Sequence, residues 1–240
     1  MEKKVKNLEN HVIVCGYGRN GRETSNEFLE KNIPFVIIEQ SAEIIEKIKD
    51  NPELMYVQGD TTQDEILEIA GVKKARALIA TLPNDADNLF IVLSARELNK
   101  NLLIVTRASN DSSNLKLKQG GANFVIMPDK LGGQQMAKLV SHPDVVEFLD
   151  YILLHSEKEV NLQEIMLSGL SDNLNNSTIG EVNVRNKSGT NILGIKTAKG
   201  NYIFNPASTE KISNNDKLFV LGTPEQIESF KSLILNSVHE

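Results

Sequence analysis

The stretch His11–Gly21, HVIVCGYGRNG, decides the fold. It opens on an apolar, β-branched run, the composition of a buried strand, and ends in three glycines spaced G-x-G-x-x-G. Alone, that spacing is a weak signal, and its meaning depends on what surrounds it. Here a helical pattern follows at once, and a second apolar run, FVIIE, closes on Glu39 roughly twenty residues further on. In that setting Gly16 makes the tight turn and Gly18 lets backbone approach a diphosphate. Gly21 allows the helix to pack close to the strand, and the helix N-terminus faces the anion. Glu39 is placed to accept hydrogen bonds from ribose hydroxyls and would repel a 2′-phosphate, which disfavours NADP. Tyr17 and Asn20 complete the turn and Gln40 follows the acid, so all three join the candidate cofactor set.

The same rhythm continues outward. Apolar runs at 11–15, 35–39, 54–58, 77–81, 102–106 and 123–127 alternate with amphipathic stretches such as SAEIIEKIKD and NDADNLFIVLSARELNK. Strands apolar on both faces, joined by crossovers of about ten or more residues, imply a parallel sheet with helices on both sides. The expectation is an α/β fold, a Rossmann-like doubly wound parallel sheet. Helix punctuation agrees: Ser41 is set to cap the second helix, Gly71 to close the third, and Asn84 or Asp85 to open the fourth.

Such sheets bind ligands at the carboxyl ends of their strands, which selects further candidates. Arg19, inside the turn, is placed to reach a distal phosphate and favours ADP or ATP over a shorter ligand. Asp60 and Thr61 lie in GDTT after the third strand, where Asp60 either caps the next helix or contacts a nucleoside. Thr81 and Arg107 end the fourth and fifth strands at the same edge.

Near residue 128 the rhythm stops. A long helical pattern breaks at His142–Pro143, so two helices are expected to meet there, with Pro143 in the first turn of the second. In the second helix Val145, Phe148, Leu149 and Ile152 form an apolar stripe, read as a partner surface because it lies outside the sheet's repeat. Asp144, Glu147 and Asp150 recur on that helix; hard oxygen ligands suit Ca²⁺ or Mg²⁺, and a solvated polar face explains them as well. From about residue 157, VNLQEIML, NILGIKTA, NYIFNP and KLFVLG read as short strands, followed by a helix opening at Thr223–Pro224. The expected division is 1–140 for the nucleotide-binding domain, 141–156 for a crossover and dimerisation helix, and 157–240 for a small α+β domain.

Bulk properties exclude several classes. A formal net charge of −6 with no basic stripe argues against nucleic acid as a partner, and Lys3, Lys4 and Lys6 read as a solvated terminus. The single cysteine, Cys15, excludes an internal disulfide and reads as packing in a reducing compartment. No apolar run approaches the roughly 18 residues needed to span a bilayer. No signal-peptide core is present either, so a soluble, cytoplasmic chain is expected. Catalytic constellations are missing: His11, His142, His155 and His239 do not end strands beside the turn. No Ser-His-Asp set, short-chain dehydrogenase motif or zinc cluster appears. A stand-alone NAD-dependent oxidoreductase would need a base that the sequence does not offer.

With HVIVCGYGRNG, VQGDTT, MPDKLGGQQMAKLVSHPDVVEFLD and GTNILGI…KLFVLGTPEQI in view, the chain resembles the regulator-of-K⁺-conductance (RCK) family over about residues 8 to 235. It looks like the paired N- and C-terminal RCK lobes of ligand-gated potassium channels, and less closely like the soluble Trk/Ktr transporter subunits. The resemblance implies no catalysis but a nucleotide site for NAD, ADP, ATP or AMP; calcium sites differ among members of the family, so Ca²⁺ as an effector rests on Asp144, Glu147 and Asp150 alone. It also implies homodimers built through the crossover helix, an octameric gating ring, and a K⁺ channel pore or a transporter subunit as partner. Gly16, Gly18, Arg19 and Gly21 would hold phosphates, Glu39 ribose, and Asp60 and Thr81 the nucleoside. Channel members follow a pore helix at this point, so MEKKVKNLENHVIV would be a linker, its lysines just below the membrane and the domain at its inner face. One departure stands out: the family's Gly-Asp pair before the last strand is Asn215–Asp216 here.

Overall fold

In the computed structural model, the structure describes Val5 and residues 7–154, 160–168, 170, 174–182 and 184–235. Lys3, Lys4, Lys6, His155 and His239 lie outside the described residues. The chain divides into two compact units, residues 1–136 and 137–240.

The first unit alternates strand and helix: β1 Val12–Cys15, α1 Arg19–Glu30, β2 Phe35–Glu39, α2 Ala42–Lys49, β3 Tyr56–Gln58, α3 Asp64–Ile69, β4 Ala77–Ala80, α4 Asp85–Leu98, β5 Leu103–Arg107, α5 Asp111–Gln119 and β6 Phe124–Ile126. All six strands pair in parallel in the order β3-β2-β1-β4-β5-β6. Each strand expected from the sequence is present, with ends trimmed or shifted by a residue or two. The order reverses between β1 and β4, and a crevice opens at the carboxyl ends there.

Every residue of β1 is buried, because the pleat sends alternate side chains into two separate cores. Ile13 and Cys15 join Val36, Ile38, Leu78 and Ile104 on one face, while Val12 and Val14 join Phe35, Ile37, Ile45 and Ile48 on the other. Cys15 is fully buried, and burial pushes its thiol well above its ordinary pKa, so packing is its role. The helix ends follow local chemistry. Ser41 Oγ accepts from Ile44 N, and Asn84 Oδ1 accepts from Ala86 N. Gly71 supplies the left-handed residue after α3 at φ 80°.

Two helices follow, α6 Pro128–Ser141 and α7 Pro143–Leu154, separated at His142 as the proline predicts. None of the side chains of α6 is buried. On α7, Val146 and Ile152 are buried while Val145, Phe148 and Leu149 are exposed, so the sequence-derived stripe divides between two faces.

The second unit continues with β7 Asn161–Met166, α8 Ile179–Val182, α9 Val184–Ser188, β8 Asn191–Lys196, β9 Tyr202–Phe204, β10 Lys217–Gly222 and α10 Pro224–Leu235. Its strands form an antiparallel sheet, β7-β10-β8-β9. Ile165, Ile195, Leu218 and Val220 pack under Ile227, Phe230 and Ile234 of α10. Thr223 caps α10: its Oγ1 accepts from Gln226 N, while Gln226 Oε1 accepts from Thr223 N. The short helices α8 and α9 are absent from the sequence reading. Gly189 does turn the chain, at φ 76°, directly after α9.

At the departure from the family pattern, Asn215 sits at φ 70°, where glycine is favoured and asparagine is tolerated. Asp216 is buried, and its carboxylate accepts from Ser213 N and Ala198 N, so the turn before β10 is intact.

Candidate functional site

The glycine turn joins β1 to α1, and its three glycines answer different demands. Gly16 lies at φ 89°, and a Cβ there would meet Leu82 Cδ2 at 2.9 Å. A Cβ on Gly21 would stand 2.0 Å from Gly16 O and 3.0 Å from Thr81 Oγ1, so α1 is seated directly on the turn. Gly18 differs: no atom lies within 4 Å of where its Cβ would be. The space over Gly18 is therefore open, as backbone approach to an anion requires. Gly18 is the N-cap of α1 without a side-chain cap, and Arg22 N is the first amide of this helix bonded to backbone, to Gly18 O. The preceding amides form an anion-attracting helix end.

Glu39 closes β2 beside this turn and is almost fully buried. Its Oε2 accepts from Tyr17 N and its Oε1 from Ser41 N, each at 2.8 Å, which ties the turn to the start of α2. Each carboxylate oxygen retains acceptor capacity, so the ribose role expected of Glu39 stays chemically open.

Two cavities flank the turn. The first, about 150 Å³, is lined by Gly16, Glu39, Gln40, Asp60 and Thr61 of the expected set, together with Ile38, Gly59, Thr62, Leu82 and Asp87. Three carboxylates face it, a setting for hydroxyl and amino donors. The second, about 320 Å³, is lined by Gly18, Arg19, Asn20, Thr81 and Arg107, with Pro83, Pro128 and Asp129. Two guanidinium groups border it, a setting for phosphate. Tyr17 and Gly21 line neither cavity; both are buried within the turn's own packing.

Thr81 is buried, and its hydroxyl bonds to the Cys15 and Gly16 carbonyls, fastening β4 to the turn. Asp60 does not cap α3, where Gln63 is the N-cap. Its Oδ1 accepts instead from Thr62 N and Thr62 Oγ1, an Asx-turn that shapes the cavity wall. Asp87, Thr62, Pro128 and Asp129 were missed from sequence. A signal existed for Asp87: PNDAD, residues 83–87, opens a helix at the carboxyl edge, and its first turn points at the same crevice.

Asp144, Glu147 and Asp150 lie along α7, the first two exposed. Among the described residues, no group of three or more His, Cys, Asp or Glu side chains is arranged to hold a metal ion. His11 is fully buried, with Nε2 bonded to Ala70 O at 2.8 Å at the end of the sheet away from the cavities. Among the described residues, no helix is long and apolar enough to cross a membrane.

Comparison with known proteins gives this geometry a family. The TrkA-N domain family matches residues 12–128 and the TrkA-C domain family matches residues 170–235. "Probable potassium channel protein 2" of Methanocaldococcus jannaschii is 35% identical over 240 residues, covering 98% of this chain and 69% of that protein. "Potassium channel protein 1" of the same organism is 36% identical over 236 residues, with the same shares. "Ktr system potassium uptake protein C" of Bacillus subtilis is 27% identical over 234 residues, 96% of this chain and 100% of that protein. Among solved structures, the TrkA-N domain of the inner membrane protein ybaL from Escherichia coli is 31% identical at TM-score 0.54, covering 56% of this chain and 98% of that one. The GsuK RCK domain is 25% identical at TM-score 0.50, covering 95% of this chain and 47% of that one. A GsuK channel bound to NAD, 24% identical at TM-score 0.50, covers 96% of this chain and 39% of that one and shares its fold. An open glycine turn on a doubly wound sheet, followed by a small antiparallel domain and matched in that order by both families, places the chain in the TrkA-N/TrkA-C (RCK) family.

Proposed function

We propose that this chain is the regulatory, non-catalytic RCK domain of a potassium channel, acting at the inner face of the membrane by binding a nucleotide and biasing the pore. The observation that carries the reading is the open space over Gly18 between a carboxylate-lined and an arginine-lined cavity. The first suits the ribose and base of NAD, ADP, ATP or AMP, and the turn suits the phosphate. The candidate residues are those of the turn, Gly16–Gly21, with Glu39, Gln40, Asp60, Thr61, Thr81 and Arg107. A ligand regulates only through different affinity for two arrangements of the assembly.

Homodimers built through residues 141–156, within a larger ring, fit the two helices after β6. Leu131, Met136, Leu139, Val140, Val145, Phe148 and Leu149 are all exposed there, more apolar surface than a lone chain leaves to water without cause. A second reading, a separate subunit controlling a Trk/Ktr-type transporter, has one observation in its favour: the Bacillus subtilis Ktr protein is matched along 100% of its length.

The test is thermal unfolding of the chain with NAD⁺, NADH, ADP, ATP, AMP or Ca²⁺, wild type beside Gly18→Asp. A ligand at a hundred times its Kd adds about 2.7 kcal/mol of stability. The expected result is stabilisation of wild type by one or more nucleotides and none of Gly18→Asp, whose carboxylate occupies the anion's place. The variant on its own should be no less stable than wild type, because aspartate caps a helix better than glycine. Equal stabilisation of both proteins overturns the assignment.

A further inference from the structure

His11 sits where the chain enters the sheet, one residue before β1 and far from the two cavities, and it is fully buried. Its Nε2 lies 2.8 Å from Ala70 O. A carbonyl oxygen only accepts, so Nε2 carries the proton and Nδ1 is left as a bare acceptor. Nδ1 is buried with no hydrogen-bond partner. The ring is seated over Gly71, at φ 80°, where a Cβ would stand 3.1 Å from His11 Cε1. The same end of the sheet holds the segment before β1, Val5 with residues 7–10. Asn10 N donates to Lys74 O, Arg76 N to His11 O and Leu8 N to Val5 O. Val5 is fully buried in the core that contains Leu67, Val72 and Leu102, and Glu9 pairs with Lys74. The charged groups on the elements around the ring, Glu9, Glu68, Lys73, Lys74 and Arg76, are all exposed. None of them moves its pKa, which burial lowers against the opposing Ala70 carbonyl. A protonated ring in this seat would bury a charge without a counter-ion and an Nδ1–H without an acceptor.

We infer that His11 is a pH-sensitive latch: the neutral ring fixes the segment before β1 to the end of the sheet, and protonation drives the ring from its seat on Ala70 and Gly71 and releases the segment. In the channel reading that segment is the linker, so protons become an input to the domain; the latch itself does not depend on that reading. Released, the ring meets water and titrates near its ordinary value of about 6.5, whereas the seated ring takes up its proton only at lower pH. The latch is therefore at full strength above about pH 6.5 and weakens as pH falls toward the seated value. Between about pH 7.5 and about pH 5.5 the opening equilibrium rises by up to about tenfold.

The experiment is hydrogen exchange of the full chain, read amide by amide by NMR across that pH range and corrected for intrinsic rates. Asn10 N and Arg76 N report the latch, and Thr81 N, bonded to Cys15 O at the other end of β1, reports the whole unit. The two latch amides should be less protected than Thr81 at every pH, because their opening leaves the sheet standing. Their protection should fall by up to about tenfold from the upper to the lower pH. His11→Gln can still donate to Ala70 O but cannot titrate, so its latch amides should lose that pH dependence. Glu9→Gln removes only the exposed pair with Lys74 and should keep it. Protection equal to that of Thr81 means that these amides open only when the whole unit unfolds, and overturns the latch. It is overturned equally by pH-independent protection in wild type, by a response that survives in His11→Gln, or by one that disappears in Glu9→Gln. Should His11→Gln not fold, the imidazole nitrogen shifts of wild type decide: a neutral ring with its proton on Nε2 at about pH 6 supports the latch, and half-protonation at or above about pH 6.5 overturns it.

Discussion

Replacing Gly21 by alanine isolates the steric logic of the turn. The added Cβ would stand 2.0 Å from Gly16 O, 3.0 Å from Gly16 C and 3.0 Å from Thr81 Oγ1. None of these atoms is the free end of a flexible side chain. The first two are backbone at a residue fixed at φ 89°, and the third is fastened to the Cys15 and Gly16 carbonyls. A carbon–oxygen contact needs about 3.3 Å, a distance already close for weak C–H···O contacts. Relief therefore means lifting α1 off the turn, against the core formed by β1 and β2. Overpacking of this kind costs about 3 kcal/mol or somewhat more. Gly18→Ala is the matched control, with no atom near its Cβ, and its cost is limited to a weaker N-cap, about 1 kcal/mol or less. Urea unfolding followed by circular dichroism reads both. With a urea slope of about 2 kcal/mol per molar, Gly21→Ala should lower the midpoint of the first unit by roughly 1.5 M, while Gly18→Ala lowers it by under about 0.5 M. Two units with separate transitions require a fit that keeps them apart. An unchanged midpoint for Gly21→Ala, or equal losses for the two variants, refutes the reading of the glycines as one packing residue and one approach residue.

Three further outcomes follow from named contacts. His11 is buried with its pKa lowered, burial being the main cause and the Ala70 carbonyl opposing it. The unfolded chain therefore takes up the proton first, and stability present above about pH 6.5 should be lost as pH falls through the folded value, a slope that His11→Gln flattens in denaturation at stepped pH. Asp216→Ala removes the acceptor for Ser213 N and Ala198 N and should cost the second unit about 1–3 kcal/mol in a melt, against little change for an exposed site such as Glu228→Ala. Phe148→Glu, at a residue 63% exposed, should leave the melting of the chain near wild type while shifting light-scattering mass toward monomer if α7 builds the proposed dimer, and an unchanged mass refutes that role for α7.

The parallel sheet was readable because its strands are apolar on both faces and its helix ends carry their own punctuation, as at Ser41, Asn84 and Pro143. Lining residues of the two cavities were readable where backbone geometry singles them out: Gly16 and Gly18 in the turn, Glu39 at a strand end, Thr81 and Arg107 at the carboxyl edge. Legibility failed where a side chain's partner lies far along the chain. Asp60 is the exception, since its competing partner is local: Thr62 N and Thr62 Oγ1 take the carboxylate oxygen that a cap would have used. Asp87 and Asp129 reach the site from the first turns of α4 and α6, and nothing in their immediate sequence separates a helix-opening acid that faces a crevice from one that faces water. The apolar stripe of α7 divides: Val145, Phe148 and Leu149 are exposed, as a partner surface requires, while Ile152 is buried. A helical wheel ranks faces by composition, and it does not say that Val146 and Ile152 are the residues of this helix that the fold buries.

That division of charge around the turn constrains any ligand more tightly than the glycines do. A glycine turn accepts any anion that fits, whereas Glu39, Asp60 and Asp87 repel phosphate from one side and Arg19 and Arg107 attract it to the other. A nucleotide bound as proposed would have one favourable orientation, nucleoside toward β2 and β3, phosphates toward β4 and β5. In that orientation its distal end would face Pro128 and Asp129, the first residues of α6, which line the second cavity. None of the side chains of α6 is buried, and its first turn is tied to the chain by the Lys130–Asp111 ion pair and the long Arg107–Asp129 contact. A ligand that adds or removes even one contact at its first turn then changes the balance between arrangements by a free energy comparable to the contact itself, about 1–3 kcal/mol, which is the scale on which coupled sites regulate one another.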